Sequence, residues 1–314
     1  MTRPGVTLRD ADPLSVHPAL RAGRDGVVVA APAKLNLFLE ILHKRPDGYH
    51  DLESLMAAVD LFDTLEMRAT VGGEIALSCD PLSLSAGPDN LVYKAAIALR
   101  VAAMRPALGA EIRLTKRIPA QAGLGGGSSD AAAALAGLNR IWNLALTRDE
   151  RLGIAASIGS DVAFFLTLPA AWCTGRGEHV TPEESAGGFH FVLVCPPVGL
   201  GTAGVYGRLV VPEKRLDGFA VRTAFRAGDA DALGRAMFNR LEEPAFALEP
   251  LVGRIRNRLS GLGPCGALMS GSGSAVFAVC RDRKHAVQVA DRFQASRPAD
   301  EPASRVLVVR SFTP

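Results

Sequence analysis

The chain has 314 residues, 48% of them hydrophobic, and a net charge of +3; that length suits one large domain or two ordinary ones, and so small and dispersed a charge argues against a nucleic-acid partner. Its five cysteines (79, 173, 195, 265 and 280) include no Cys-x-x-Cys pair, so neither a zinc site nor a disulfide framework is indicated, and reduced thiols in the cytoplasm are expected. No apolar run reaches 18 residues and no apolar segment opens the chain, which speaks against a membrane span or a signal peptide.

Residues 1–25 mix Pro, Arg, Asp and Gly without periodicity and read as a flexible tail. The first strand begins at Val27. After Pro32 the pattern alternates, with Leu35, Leu37, Leu39 and Ile41 on one face and Lys34, Asn36, Phe38 and Glu40 on the other. Lys34 and Asn36 therefore point the same way, about 7 Å apart by strand rise. Lysine is scarce here, with six Lys against 29 Arg, so a lysine on such a strand calls for an explanation. Arg45-Pro-Asp-Gly48 is a turn, with Tyr49 and His50 directly after it, and strand patterning resumes over 52–67. Asp89 or Asn90 caps a helix running to about Met104.

Glu111–Lys116 alternates as a half-buried strand, and Ala131–Trp142 is rich in helix formers. Between them lies Pro119-Ala-Gln-Ala-Gly-Leu-Gly-Gly-Gly-Ser-Ser-Asp130. Glycines let backbone N–H groups approach a ligand closely, a helix start adds unpaired N–H groups and partial positive charge, and Ser128, Ser129 and Asp130 are good capping types. Strand, glycine-rich loop and helix together make a phosphate cradle. It is not a Walker loop, because Gly127 is followed by Ser128 and not Lys. A dinucleotide fingerprint fails too, since the glycine it needs at 128 is serine. The protein-kinase pattern lacks its His-Arg-Asp and Asp-Phe-Gly partners.

Thr147-Arg-Asp-Glu150 is a capping box that starts another helix. Asp161 enters the apolar run 162–168, where a carboxylate must be paired or capping. Thr174–Glu178 is a tight turn and Phe189–Cys195 a buried strand. Composition changes near 182–188, which sets a domain boundary there: a tail over 1–25, one domain over 26–182 and a second over 183–314. Residues 214–247 look helical, as do 248–259 and 284–293. Gly271-Ser-Gly-Ser274 is a second glycine-rich turn before a strand, and 305–310 is a final strand. Strands and helices mixed in two blocks give an α+β fold.

Pro32–Leu39, Asp47-Gly-Tyr-His50, the loop Pro119–Ser129, Ile158–Phe165 and Ser270–Ser274 together resemble the superfamily of galactokinase, homoserine kinase, mevalonate kinase and phosphomevalonate kinase. Within it they are most similar to the 4-diphosphocytidyl-2-C-methyl-D-erythritol kinases. The blocks span about 240 residues in the family's order; each is modest alone and the set is specific. The resemblance implies a two-domain kinase fold, an N-terminal ribosomal-protein-like βαβ domain that binds ATP and a C-terminal ferredoxin-like domain that binds substrate. It implies phosphorylation of the 2-hydroxyl of a cytidine diphosphate conjugate, a small-molecule substrate of non-mevalonate isoprenoid synthesis. It also implies Lys34 and Asp161 as catalytic groups, with ATP held by Pro119, Ala120, Gln121, Ala122, Gly123, Leu124, Gly125, Gly126, Gly127, Ser128 and Ser129. Substrate contacts are implied for Asn36, Tyr49, His50, Thr202 and Tyr206. Magnesium is expected with ATP, without a dedicated carboxylate cluster. Alternatives are another small-molecule kinase of the superfamily, against which Asp47–His50 argues, and a catalytically silent nucleotide-binding regulator, against which Lys34 and Asp161 argue. The chain departs from the family at Gln121, where glycine is common, at Ala203, which replaces a proline, and at Arg240, which replaces an aspartate.

Overall fold

The structure is a computed structural model and describes residues 20–23, 26–144 and 146–312. Four strands open the fold: β1 (Leu20–Ala22), β2 (Val27–Lys44), β3 (His50–Thr70) and β4 (Ile75–Asp80). Most of the expected tail lies outside the described residues, but its end is not tail: β1 pairs antiparallel with the start of β2. β2 and β3 form a long hairpin, closed by Arg45 N–H donating to Tyr49 C=O at 2.8 Å. Gly48 takes φ +85 in that turn, which glycine allows without strain. The hairpin tip thus carries Tyr49 and His50.

Next come α1 (Leu91–Ala102), β5 (Gly109–Thr115), α2 (Gly126–Ile141), α3 (Arg148–Ile158), α4 (Val162–Phe165), β6 (Ala170–Gly175) and β7 (His179–Pro182). Asn90 caps α1, and the Thr147–Glu150 capping box closes as expected. The sheet order is β1-β2-β3-β5-β4, with β6 and then β7 added on β3. At 21 residues β3 is long enough to share one edge: residues 64–70 pair with β5 and 52–57 with β6. α2 packs on both β2 and β3 and against α1. It is buried continuously from Ser129 to Leu138, which small alanine side chains allow.

The remaining elements are β8 (His190–Cys195), α5 (Thr202–Gly207), α6 (Phe219–Ala227), α7 (Ala230–Ala236), β9 (Phe238–Asn239), α8 (Glu242–Leu248), α9 (Pro250–Ser260), β10 (Gly266–Met269), β11 (Val276–Cys280), α10 (Arg283–Ala295) and β12 (Arg305–Arg310). A second, antiparallel sheet runs β10-β11-β8-β12. Its faces divide by the two-residue period of a strand. Phe191, Leu193 and Phe277 meet Leu35, Leu37 and Leu55 of the first sheet, while Val192, Val194 and Ala278 meet Val252 and Ile255 of α9 and Val289 and Phe293 of α10. With both faces covered, β8 reads as an unbroken apolar run.

Two features depart from the expected pattern. The strict alternation of β2 breaks at a bulge between Asn36 and Phe38, so Phe38 joins Leu35 and Leu37 in one cluster while Leu39 and Ile41 enter another. The two-residue β9 leaves the second block to pair with β2 in the first sheet. Arg240, just beyond it, makes a two-point contact with buried Glu40 at 2.7 and 2.8 Å and lies over the Phe238 ring. Burial raises the Glu40 carboxyl, but the Arg240 bond and the Leu216 and Ile41 amides outweigh it and hold the group below its usual value.

Candidate active site

The glycine loop is fixed on three sides. Lys34 N–H donates to Leu124 C=O at 3.0 Å, Leu200 N–H to Gln121 C=O at 3.3 Å and Ala275 N–H to Ala122 C=O at 3.1 Å. Helix α2 begins earlier than composition suggests, directly after Gly125, which takes φ +68 and has no capping side chain. Ser128, Ser129 and Asp130 are therefore helical residues and not caps. A capless N-terminus leaves its N–H groups open to an anion. A Cβ at Gly125 would stand 2.9 Å from Phe165 Cζ and 3.0 Å from Lys34 Cγ, so only glycine fits.

Under the loop lies an ion cluster that the sequence reading missed. Lys116 Nζ donates to Asp130 at 2.6 Å and to Asp63, and Asp63 Oδ1 also accepts from the Ile118 amide at 2.9 Å. Asp63 and Asp130 are buried. Burial first, and then the Asp63 charge, push the Asp130 carboxyl up against the pull of Lys116. The ammonium is held up in turn: burial lowers it, but the two aspartates outweigh that. The rarity of lysine that singles out Lys34 applies equally to Lys116 and was the available signal.

Lys34 projects from β2, with its side chain 5% exposed. Its Nζ donates to Asn36 Oδ1 and stands 3.4 Å from Asp161 Oδ2. Asn36 is fixed in turn by Nδ2–H donation to Ser54 Oγ at 2.8 Å, and its amide donates to Ser270 Oγ at 3.3 Å. Asp161 precedes α4 but makes no capping bond with its side chain. It is the lysine that answers the charge this carboxylate brings to an apolar run. Beyond this pair lie the aromatic groups. The rings of His50 and Tyr206 are 5.2 Å apart, and the Arg176 guanidinium lies 4.9 Å over Tyr49. Burial, and then the Lys44 charge, hold the His50 imidazole below its usual value, which favours the neutral form, with one donor and one acceptor nitrogen. Burial, and then the Asp161 charge, push the Tyr206 phenol up and keep it protonated.

One cleft of about 1090 Å³ brings nearly all of these residues together. Its lining includes Lys34, Asn36, Tyr49, His50, Asp161, Thr202 and Tyr206, and every loop residue from Pro119 to Ser128. Ser129 is not part of it: its side chain is buried inside α2 and its amide donates to Gly125 C=O. The cleft continues along Leu84, Ser85, Asp89, Asn90 and Leu91, a lobe that sequence patterning did not reveal. The loop stands between two environments. Within its glycine run, Gly125 abuts Lys34, and a Cβ at Gly127 would meet Leu91. Among the described residues no group of three or more His, Cys, Asp or Glu is placed to hold a metal.

Two family models divide the chain in the order of its architecture: the N-terminal domain of GHMP kinases matches residues 90–167 and the C-terminal domain residues 221–299. The fold is that of this class of kinase. A protein of Pelotomaculum thermopropionicum named 4-diphosphocytidyl-2-C-methyl-D-erythritol kinase is 43% identical over 92% of this chain and 99% of its own length. One of Brevibacillus brevis with the same name is 42% identical over 81% and 87%. A crystal structure of 4-(cytidine 5'-diphospho)-2C-methyl-D-erythritol kinase superposes with a TM-score of 0.75 at 34% identity, over 91% of this chain and all of that one. A homoserine kinase from Cytophaga hutchinsonii, 18% identical with a TM-score of 0.74 over 92% and 95%, shares the fold. The chain belongs to the family of 4-diphosphocytidyl-2-C-methyl-D-erythritol kinases.

Proposed function

We propose that this chain transfers the γ-phosphate of ATP to the 2-hydroxyl of 4-diphosphocytidyl-2-C-methyl-D-erythritol, a step of the non-mevalonate isoprenoid route. Beyond family membership, the observation that carries this reading is the Lys34–Asp161 pair at 3.4 Å, lining one cleft with the glycine loop and the His50–Tyr206 cluster. The open N–H groups at the start of α2 face the triphosphate. Asp161 takes the proton of the acceptor hydroxyl as its oxygen attacks the γ-phosphorus, and ADP leaves. Lys34, held by Asn36 and Asp161, supplies positive charge where charge on the transferring group is greatest. Phosphoryl transfer depends chiefly on such positioning and charge stabilisation.

The different surroundings of Gly125 and Gly127 support a division between the two substrates. The acceptor lies on the Lys34 side, where Tyr49 and Tyr206 stack on cytosine, His50 bonds its edge, and Asn36 and Thr202 add polar contacts. The nucleoside of ATP lies on the Leu91 side, in the lobe of residues 84–91. In this reading residues 26–182 carry the ATP site and 183–314 complete the acceptor site through α5. Magnesium is expected with ATP, where it would neutralise charge on the phosphates. The test is an ADP-release panel with ATP and four acceptors: the cytidyl substrate, mevalonate, homoserine and galactose. Turnover of the first alone is expected; turnover of another in its place overturns the assignment.

A further inference from the structure

We propose that Gln121, although it stands in the nucleotide loop, is a positioning residue for the acceptor substrate. The inference rests on the reading of Thr202 and Tyr206 as acceptor contacts. These two belong to a segment with glycines at 199, 201, 204 and 207, which has little stiffness of its own. It has to be held from outside. Ser274 Oγ donates to Val198 C=O, the Thr202 and Ser272 hydroxyls are 3.0 Å apart, and Leu200 N–H donates to Gln121 C=O at 3.3 Å. The last of these ties comes from the phosphate loop itself.

Gln121 makes a second, side-chain contact with the same segment. Its φ is +52, in the left-handed region that suits glycine and disfavours a glutamine. Strain kept at a cleft residue points to a use for the side chain. Its Oε1 and Cβ lie 2.9 and 3.2 Å from where a Cβ on Gly199 would stand. Added Cβ atoms at Gly201, Gly204 or Gly207 would meet nothing within 4 Å. The Gln121 side chain thus fills the space that the missing side chain of residue 199 leaves, three residues before Thr202. A strained side chain on the loop and a glycine on the segment interlock at one point and fix where α5 begins.

Gly199→Ala, Gln121→Gly and the double variant test this by steady-state kinetics with both substrates varied. Gly199 does not have a left-handed φ, so alanine displaces the Gln121 side chain without straining its own backbone. Each single variant should raise KM for the cytidyl substrate by about 3- to 10-fold, in the range typical of contacting pairs, and raise it more than KM for ATP. The double variant should be no worse than Gln121→Gly alone. Melting temperature should not fall in Gln121→Gly, because glycine relieves the left-handed strain. Effects that multiply in the double variant, or that raise both KM values equally, overturn the inference while leaving the kinase reading intact. A wild-type enzyme that does not turn over the cytidyl substrate overturns both.

Discussion

Asp161 is a carboxylate whose partner is a lysine and not a helix end, and this separates two explanations of its presence. A capping aspartate would be replaced by asparagine with little loss, because both cap well. A proton acceptor would not. Asp161→Asn is nearly isosteric and should lower kcat by at least ~10², the usual worth of general-base help, while ATP still binds by calorimetry. Near-normal turnover would remove Asp161 from the mechanism. Gly125 makes a different residue-scale argument. Its φ of +68 and the proximity of Phe165 and Lys34 leave no room for a branched side chain. Gly125→Val should weaken ATP at least ~10-fold, since it displaces the amides proposed to cradle the phosphates; unchanged affinity in a folded variant would mean that the loop is not the phosphate site.

Three elements meet at Lys116: the end of β5, the first turns of α2, and β3 through Asp63. Lys116→Met leaves two buried carboxylates facing each other and should cost about 3–5 kcal/mol of unfolding free energy, as breaking buried pairs does. The pH dependence has a definite sign. Asp130 is raised in the folded protein, so between the ordinary aspartate value and its raised one the native state keeps a proton that the unfolded chain releases. Stability from this group is greatest in acid and falls as pH rises through the raised value. Asp130→Asn should flatten that slope, and urea titrations at mildly acidic and mildly alkaline pH measure it. Equal slopes in both proteins would show that Asp130 titrates normally. Glu40 works in the opposite sense and lower on the scale: its stabilisation is present above the ordinary glutamate value and is lost as pH falls through its lowered one.

At the scale of the molecule, the proposed acceptor site draws on both sheets' neighbourhoods. Tyr49 and His50 stand at the tip of the β2–β3 hairpin, while Tyr206 arrives on α5 after β8 and packs partly against the core that includes Leu39, Val192 and Leu251. Tyr206→Ala should raise KM for the cytidyl substrate by about one to two orders of magnitude, the equivalent of base–aromatic stacking, and leave KM for ATP nearly unchanged. If it lowers the melting temperature and spares the cytidyl KM, Tyr206 is packing and not recognition.

Much of this was legible along the chain, for a local reason. The Thr147–Glu150 capping box, the Asn90 cap and the 305–310 strand involve residues a few positions apart, so composition and period suffice. The strand, glycine-rich loop and helix were legible because adjacent residues, not distant side chains, make them. What sequence could not settle was pairing at long range. Lys116 finds Asp63 53 residues away, and Arg240 finds Glu40 across 200. The bulge after Asn36 shifts the register and moves Phe38 to the other face, as any one-residue slip in a strand must. The first turn of α2 also resisted, because Gly125 starts the helix by backbone conformation while the better capping residues are already inside it. Local chemistry determined where this protein has a glycine-rich loop and which candidate charged groups stand near it in the chain; the tertiary structure decided which charges meet, because that depends on register and packing across elements that the chain order keeps apart.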